Sequence, residues 1–339
     1  MRKSFFTIVQ YIFFLSLGVL FIWLTVKDIN KENWQKIQHS LQQARHILII
    51  PVVVMLLLSH YIRAVRWRML MEPLGYKPTL FNTWSAVMIG YLVNAGVPRL
   101  GEVVKCTLLA KYENLRADKL LGTIVIERII DLICLVIVFI LAILFQGYII
   151  GNYIKELFQT SFSDNTGRIA YEKVLILVFS LFTLTGVVYF LFRQFAHVNL
   201  IVRIKKIIMG ILSGLGSIRN IKRKKLFLIH TFLIWFLYLA SATAGLYALR
   251  ETEHLGWGGG LTTLGVGSVA MILTPGGIGA FPLLVAKLME LYGLDVKTTG
   301  AAIGWLLWSV QTLLILGGGI IFSGLFTYHH KKRRFENRQ

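Results

Sequence analysis

Two apolar stretches of this chain break on proline and glycine in mid-hydrophobe instead of running through as clean spans: Ser85–Glu102 (SAVMIGYLVNAGVPRLGE) and Gly265–Pro282 (GVGSVAMILTPGGIGAFP). In a bilayer a broken backbone leaves unpaired N–H and C=O groups that cost several kcal/mol each. Such a break persists only inside protein or beside a water-filled cavity. A pair of them at corresponding places in two halves of a membrane protein is the best pointer in a sequence to a transport site.

The chain reads as a membrane protein. Its 339 residues are 56% hydrophobic and only 15% charged, and the mean hydropathy is +0.67. A soluble domain of this size needs a far more polar surface. Six stretches are long enough to span: Phe5–Val26, His46–Ile62, Leu120–Phe145, Val174–Leu191, Leu226–Leu249 and Thr299–Thr327. The first follows Arg2 and Lys3, but it is too long for the core of a signal peptide and has no small-x-small cleavage site, so it reads as a retained helix. The net charge of +20 does not point to nucleic acid, because the basic residues fall between hydrophobic spans, as in loops that face anionic lipid. Cys106 and Cys134 form no CxxC pair and imply neither a disulfide framework nor a metal site.

Orientation follows from charge. With the N-terminus inside and both broken stretches re-entrant, 25 of the 36 Lys and Arg residues fall on the inner side and 10 on the outer, with Arg128 alone inside a span. The positive-inside rule favours this arrangement, with both termini cytoplasmic. Two further stretches show apolar residues at helical spacing among polar ones: Trp34, Ile37, Leu41 and Ala44 after the first span, and Ile201, Ile204, Ile208, Ile211, Leu215 and Ile218 after the fourth. Both are expected to lie in the interface plane. Each half then reads as span, interfacial helix, span, re-entrant element, span. The expected fold is all-α: one domain over residues 1–339, an inverted-topology repeat of about 1–146 and 173–327, and a basic tail at 328–339.

Glu127, Arg128 and Asp131 lie within the third span. Glu127 and Asp131, four residues apart, share a helix face. Ionisable groups there face the bundle interior or a wet cavity, either as an ion pair that locks packing or as the lining of a head-group path. The turn Pro98-Arg99-Leu100-Gly101-Glu102 opens an apolar half-helix, whose free N–H groups and positive dipole end favour phosphate. Arg99 adds a planar fork that fits phosphate oxygens, the alternative being a side chain that snorkels to the interface; Glu102 reads first as a cap. At Thr274-Pro275-Gly276-Gly277-Ile278-Gly279 the glycines permit close backbone approach to a ligand or, equally, to a neighbouring helix. Arg63, Arg66 and Arg68 end the second span beside Tyr61 and Trp67 and read as interfacial anchors. No ATP-binding loop, nucleophile elbow or zinc motif is present, and neither a cofactor nor a metal is expected.

At RAVRWRML (63–70), GVPRLGEVVK (96–105), ERIIDL (127–132) and TPGGIGAF (274–281), the chain resembles the flippase-like family named after the lysylphosphatidylglycerol synthase transmembrane region. The resemblance implies an integral membrane protein of bacteria or archaea that moves lipids or lipid-linked head groups between leaflets. The aminoacyl-transferring members carry a further soluble domain after this region, so synthase activity is not implied for this chain. Many relatives carry a glutamate just after the PGGIG turn, where this chain has Phe281-Pro282. The expectation is therefore a transporter of a phosphate-bearing lipid, not an enzyme, with Arg99, Gly101, Glu102, Glu127, Arg128, Asp131, Thr274, Pro275, Gly276, Gly277 and Gly279 along its polar path. The alternatives are an intramembrane lipid-modifying enzyme using Glu102, Glu127 and Asp131, and a non-transporting partner of an envelope enzyme. Anionic membrane lipids are the expected partners, with a homo-oligomer or an envelope enzyme as further ones.

Overall fold

In the computed structural model, residues 16–27, 29–162 and 221–336 are described, and among them there is no strand. The helices are α1 (Ser16–Val26), α2 (Lys31–Gln42), α3 (Ile49–Met71), α4 (Leu80–Gly96), α5 (Leu100–Glu113) and α6 (Ala117–Phe162). After the gap come α7 (Lys224–Leu246), α8 (Gly256–Leu273), α9 (Ala280–Glu290) and α10 (Ala301–Glu336). Local signals place several of their ends. The Asn30 side chain accepts from the Asn33 N–H at 2.8 Å and starts α2, and Thr79 accepts from Asn82 at 3.4 Å to start α4. Gly75, with φ 79°, closes the turn after α3, and Asn114 ends α5 in the left-handed region at φ 52°.

Among the described residues, five helical stretches are long and apolar enough to cross a membrane: His46–Leu74, Ala117–Asn152, Lys224–Leu246, Arg250–Leu273 and Val296–Lys331. Four of them coincide with expected spans. The first span is described only from Ser16, the Val174–Leu191 span and the Ile201–Ile218 interfacial helix lie outside the described residues, and Arg250–Leu273 joins the long apolar helices. The third span also continues as helix to Phe162, well past the expected end at Phe145. By compactness the chain divides into Met1–Phe145 with Ile218–Gln339, and Gln146–Ser217.

Both broken stretches are helical hairpins. In the first, Asn82 Nδ2 donates to Glu113 at 2.7 Å, while nearer the tip the Gly101 N–H donates to the Asn94 side chain at 2.8 Å. These pairs join α4 and α5 as antiparallel neighbours. A Cβ on Gly101 would overlap the carbonyl oxygen of Gly90, and one on Gly90 would stand 3.0 Å from the Gly101 carbonyl oxygen, so the close approach of the hairpin requires glycine at position 101. In the second, Thr262 on α8 meets Tyr292 just beyond α9 at 2.8 Å, and Gly267 lies against the Phe281 ring. The α8–α9 turn carries Gly276, Gly277 and Gly279 at φ 58°, 69° and 70°, a region closed to most side chains. The two tips touch, a Cβ on Gly276 falling 3.4 Å from Ala95 Cα.

Helix, hairpin and helix thus occur twice in the same order, as α3, α4–α5, α6 and as α7, α8–α9, α10. The equivalent helices α3 and α7 run antiparallel. Arg45 N–H donates to Ala248 at 2.8 Å at one end, and Arg223 reaches Glu72 at 3.1 Å at the other. Of the buried apolar clusters among the described residues, three join the halves, as where Val52 and Leu56 meet Leu314 and Ile315, and two keep mainly to one half each. One buried cluster is centred on Trp67, Met71, Cys106, Leu109 and Leu120, the other on Leu246, Ala280, Phe281, Met289 and Ile303. On the outside, Val136, Ile140, Phe232 and Ile320 leave large apolar side chains exposed, as lipid-facing helices do.

Candidate functional site

A buried ionic cluster sits where α3, α5 and α6 meet. Arg63 Nη1 lies 2.7 Å from Glu127 Oε1 and 2.6 Å from Asp131 Oδ2. Arg66 Nη2 lies 2.8 Å from the second oxygen of Asp131 and 3.6 Å from Glu127. Lys105 Nζ on α5 reaches Glu127 Oε2 at 3.3 Å and stands over the Trp67 ring at 4.7 Å. Arg128 pairs with Glu102 at 3.0 Å and is 3.9 Å from both Glu127 and Asp131. The spacing of the sequence produces this directly. Arg63 and Arg66 are three apart on one face of α3, and Glu127 and Asp131 four apart on the facing side of α6, so two short stripes of opposite charge interdigitate.

This corrects the reading of Arg63 and Arg66 as interfacial anchors. Arg63 is 5% exposed and Arg66 fully buried, because α3 continues past them for more than a turn through Met69, Leu70 and Met71. Lys105, counted among the loop charges, is buried as well. The apolar run after the arginines was the signal available in the sequence: a helix that ends at the interface does not resume with three large hydrophobes. Without these three residues the charge asymmetry becomes 22 against 10, with its sign unchanged.

The cluster forms one end of a cavity of about 550 Å³ lined by α3, α4, α6, α7, α8, α9 and α10. Arg63, Arg128 and Asp131 supply its charge, while Leu56, Leu135, Leu264, Met271, Phe281, Leu307 and Ile315 make most of its wall apolar. From Val52 to Arg63 the lining runs eleven residues along α3, about 16 Å, or roughly half of a hydrocarbon core. Two lining residues are also strongly exposed on the outer surface, Leu132 at 49% and Ile272 at 68%, so the wall between α6 and α8 reaches the lipid-facing side. Inside, the His60 ring nitrogens, Trp235 Nε1 and Thr263 Oγ1 are buried with no hydrogen-bond partner. Buried polar atoms are nearly always paired, so these are uncompensated polar groups in the cavity wall.

The remaining expected site residues fall elsewhere. Arg99 is exposed and adopts φ 66°, an uncommon conformation for a side-chain-bearing residue. Glu102 bridges the first hairpin to Arg128. The Gly101 N–H, one of the groups expected to await phosphate, is taken by Asn94. At the second turn Thr274 Oγ1 donates to Ile278 at 3.0 Å, Trp308 Nε1 donates to the Gly276 carbonyl at 2.9 Å, and Pro275 and Gly277 are buried. A Cβ on Gly279 would come within 2.6 Å of the α1 backbone at Gly18 and Ile22. The turn therefore packs against α1, α4 and α10, and none of Arg99, Gly101, Glu102, Thr274, Pro275, Gly276, Gly277 or Gly279 lines the cavity. The hairpin tips meet, but the cavity lies beside them.

Comparison with known proteins agrees with this architecture. A stretch of 146 residues, 42% of this chain, is 23% identical to UPF0104 membrane protein MJ1595 of Methanocaldococcus jannaschii and covers 38% of that protein's length. No solved structure matches the chain significantly. Residues 8–318 match the family described as Lysylphosphatidylglycerol synthase TM region, a span that takes in every residue lining the cavity. This polytopic all-α membrane protein belongs to the lysylphosphatidylglycerol synthase TM region family.

Proposed function

We propose that the protein carries a phosphate-bearing lipid, or a lipid-linked intermediate, between the leaflets of a plasma membrane. The observation that carries this reading is the cavity: apolar along most of its length, charged at one end and reaching the lipid-facing surface at Leu132 and Ile272. The charged end holds four cations, Arg63, Arg66, Lys105 and Arg128, against three carboxylates, Glu102, Glu127 and Asp131. Every cation has an acidic neighbour, yet the cluster as a whole keeps one net positive charge, which is expensive to hold away from water. A phosphodiester monoanion balances it, and Arg128, 43% exposed at its side chain, is the cation best placed to reach one. Each carboxylate is already engaged by a cation, which favours binding over acid–base chemistry at these groups.

The orientation belongs to the same proposal. With both termini cytoplasmic, the basic ends of α3 and α7 face anionic lipid on the inner side. With no ATP-binding motif in the sequence, movement follows a lipid or ion gradient, one half rocking against the other.

Reconstituted in liposomes, the protein is expected to accelerate leaflet exchange of a labelled phosphatidylglycerol or polyprenyl phosphate. Arg128→Gln should slow exchange by about tenfold, the factor that the loss of one charge-assisted contact of about 1.4 kcal/mol implies. Lys111→Gln, on an exposed residue of α5, should leave it unchanged. No acceleration across a panel of phosphate-bearing lipids sinks the reading.

A further inference from the structure

A second polar void lies outside the cavity, beyond the ionic cluster at the end of α3. It measures about 360 Å³ and is lined by Arg68, Glu72, Tyr76, Lys77, Lys222 and Arg223. The residues come from three separate places: the last turn of α3, the turn that follows it, and the segment that enters α7. Their positions are fixed. Gly75 turns the chain at φ 79°, the Tyr76 N–H donates to the Met71 carbonyl at 3.2 Å, and Ile221, next to Lys222, is 2% exposed within the apolar cluster around Trp67.

The electrostatics of this void are lopsided. Four cationic side chains face one carboxylate, and that carboxylate is occupied, since Arg223 Nη2 lies 3.1 Å from Glu72 Oε1. Arg68 Nε is buried and has no hydrogen-bond partner. A solvated basic face spreads its charges apart and leaves every donor in water. Here the cations converge on a concave space, and one guanidinium donor is withdrawn from solvent with nothing to bond. Three formal positive charges remain unbalanced, more than a phosphodiester monoanion neutralises and a good match for a phosphate group of higher charge.

We infer that this void is an anion site, separate from the cavity, that takes a phosphomonoester or pyrophosphate group. Arg68 offers the fork of its guanidinium to the phosphate oxygens, Lys77 and Lys222 supply mobile ammonium donors, and the Tyr76 hydroxyl completes the rim. The site sits at the polar end of two spans, so both a lipid headgroup and a soluble phosphate compound present the chemistry it recognises. It does not rest on the transport reading, because no residue of it lines the cavity.

The test uses the full chain in phosphatidylcholine nanodiscs with two probes: phosphatidic acid included in the bilayer, and inorganic pyrophosphate added in solution. Binding is read by native mass spectrometry and by the shift in thermal unfolding. The double variant Lys77→Gln/Lys222→Gln, on side chains outside the apolar core, should weaken binding by about tenfold, and Arg68→Gln should do the same. Weakened binding of phosphatidic acid alone identifies a lipid headgroup as the source, and weakened binding of pyrophosphate alone a soluble ligand. Unchanged binding of both probes in the double variant overturns the site. An equal loss for phosphatidylglycerol, a monoanionic diester, overturns the assignment to a phosphomonoester. In an Arg128→Gln background the double variant should still lose the same tenfold, so the fates of the two sites separate.

Discussion

At the scale of single residues, Asp131 is the keystone of the ionic cluster. Its two oxygens take Arg63 at 2.6 Å and Arg66 at 2.8 Å, and both arginines are almost wholly buried. Removing one partner from a buried pair leaves the other charge uncompensated, at a cost of about 3–5 kcal/mol. Asp131→Ala is therefore expected to lower the melting temperature in detergent markedly, while Lys111→Ala on the exposed side of α5 leaves it in place. Matching melting temperatures for the two variants would show that the cluster contributes nothing to the fold. Arg128 behaves differently: its nearest acid is Glu102 at 3.0 Å and not a neighbour on its own helix. Glu102→Ala should be milder than Asp131→Ala, because a side chain 43% exposed recovers solvent or head-group contacts.

At the scale of elements, the first hairpin depends on the contact between Gly90 and Gly101. Every Cβ at position 101 meets the Gly90 carbonyl and the Asn94 side chain, so Gly101→Ala forces α4 and α5 apart. Gly122, on α6, has nothing within 4 Å of the place where a Cβ would stand. Alanine there should be neutral or stabilise by up to about 1 kcal/mol through helix propensity. Thermal unfolding of the two variants should move in opposite directions or leave only Gly101→Ala affected; equal destabilisation would remove the close approach as the reason for glycine. The three glycines of the second turn answer to different demands, a left-handed backbone and contact with α1 and α4, which explains a cluster of them where the chain both reverses and packs.

At the scale of the whole molecule, the inside-out arrangement is open to direct labelling. In a background without Cys106 and Cys134, a single cysteine at the exposed Glu251 should react with an impermeant reagent applied to intact cells, while one at Lys222 should react only after permeabilisation. The reverse pattern would invert the orientation and place the basic ends of α3 and α7 outside. The same α3–α7 pair has its Arg45–Ala248 end on one side and its Glu72–Arg223 end on the other, so the two labels report on opposite ends of one antiparallel unit.

The sequence by itself determined the class of the molecule. Hydropathy, span lengths and the two Pro/Gly breaks sufficed for an all-α membrane protein with paired interrupted elements, because a bilayer admits few ways to satisfy a backbone. It also placed Glu127, Arg128 and Asp131 inside, since acidic residues in an apolar run have nowhere inexpensive to go. The partners of those residues were decided only by tertiary structure. Arg63, Arg66 and Lys105 look in the sequence like ordinary end-of-span cations, and only the packing of α3 and α5 against α6 turns them inward. The breaks marked where the backbone turns but not where the cavity lies. A turn rich in glycine suits a ligand and a neighbouring helix equally well, and which of the two it meets depends on segments far away in the chain. Here Ala95, Trp308 and the α1 backbone occupy the second turn, and the open space falls one layer away, beside the charge cluster.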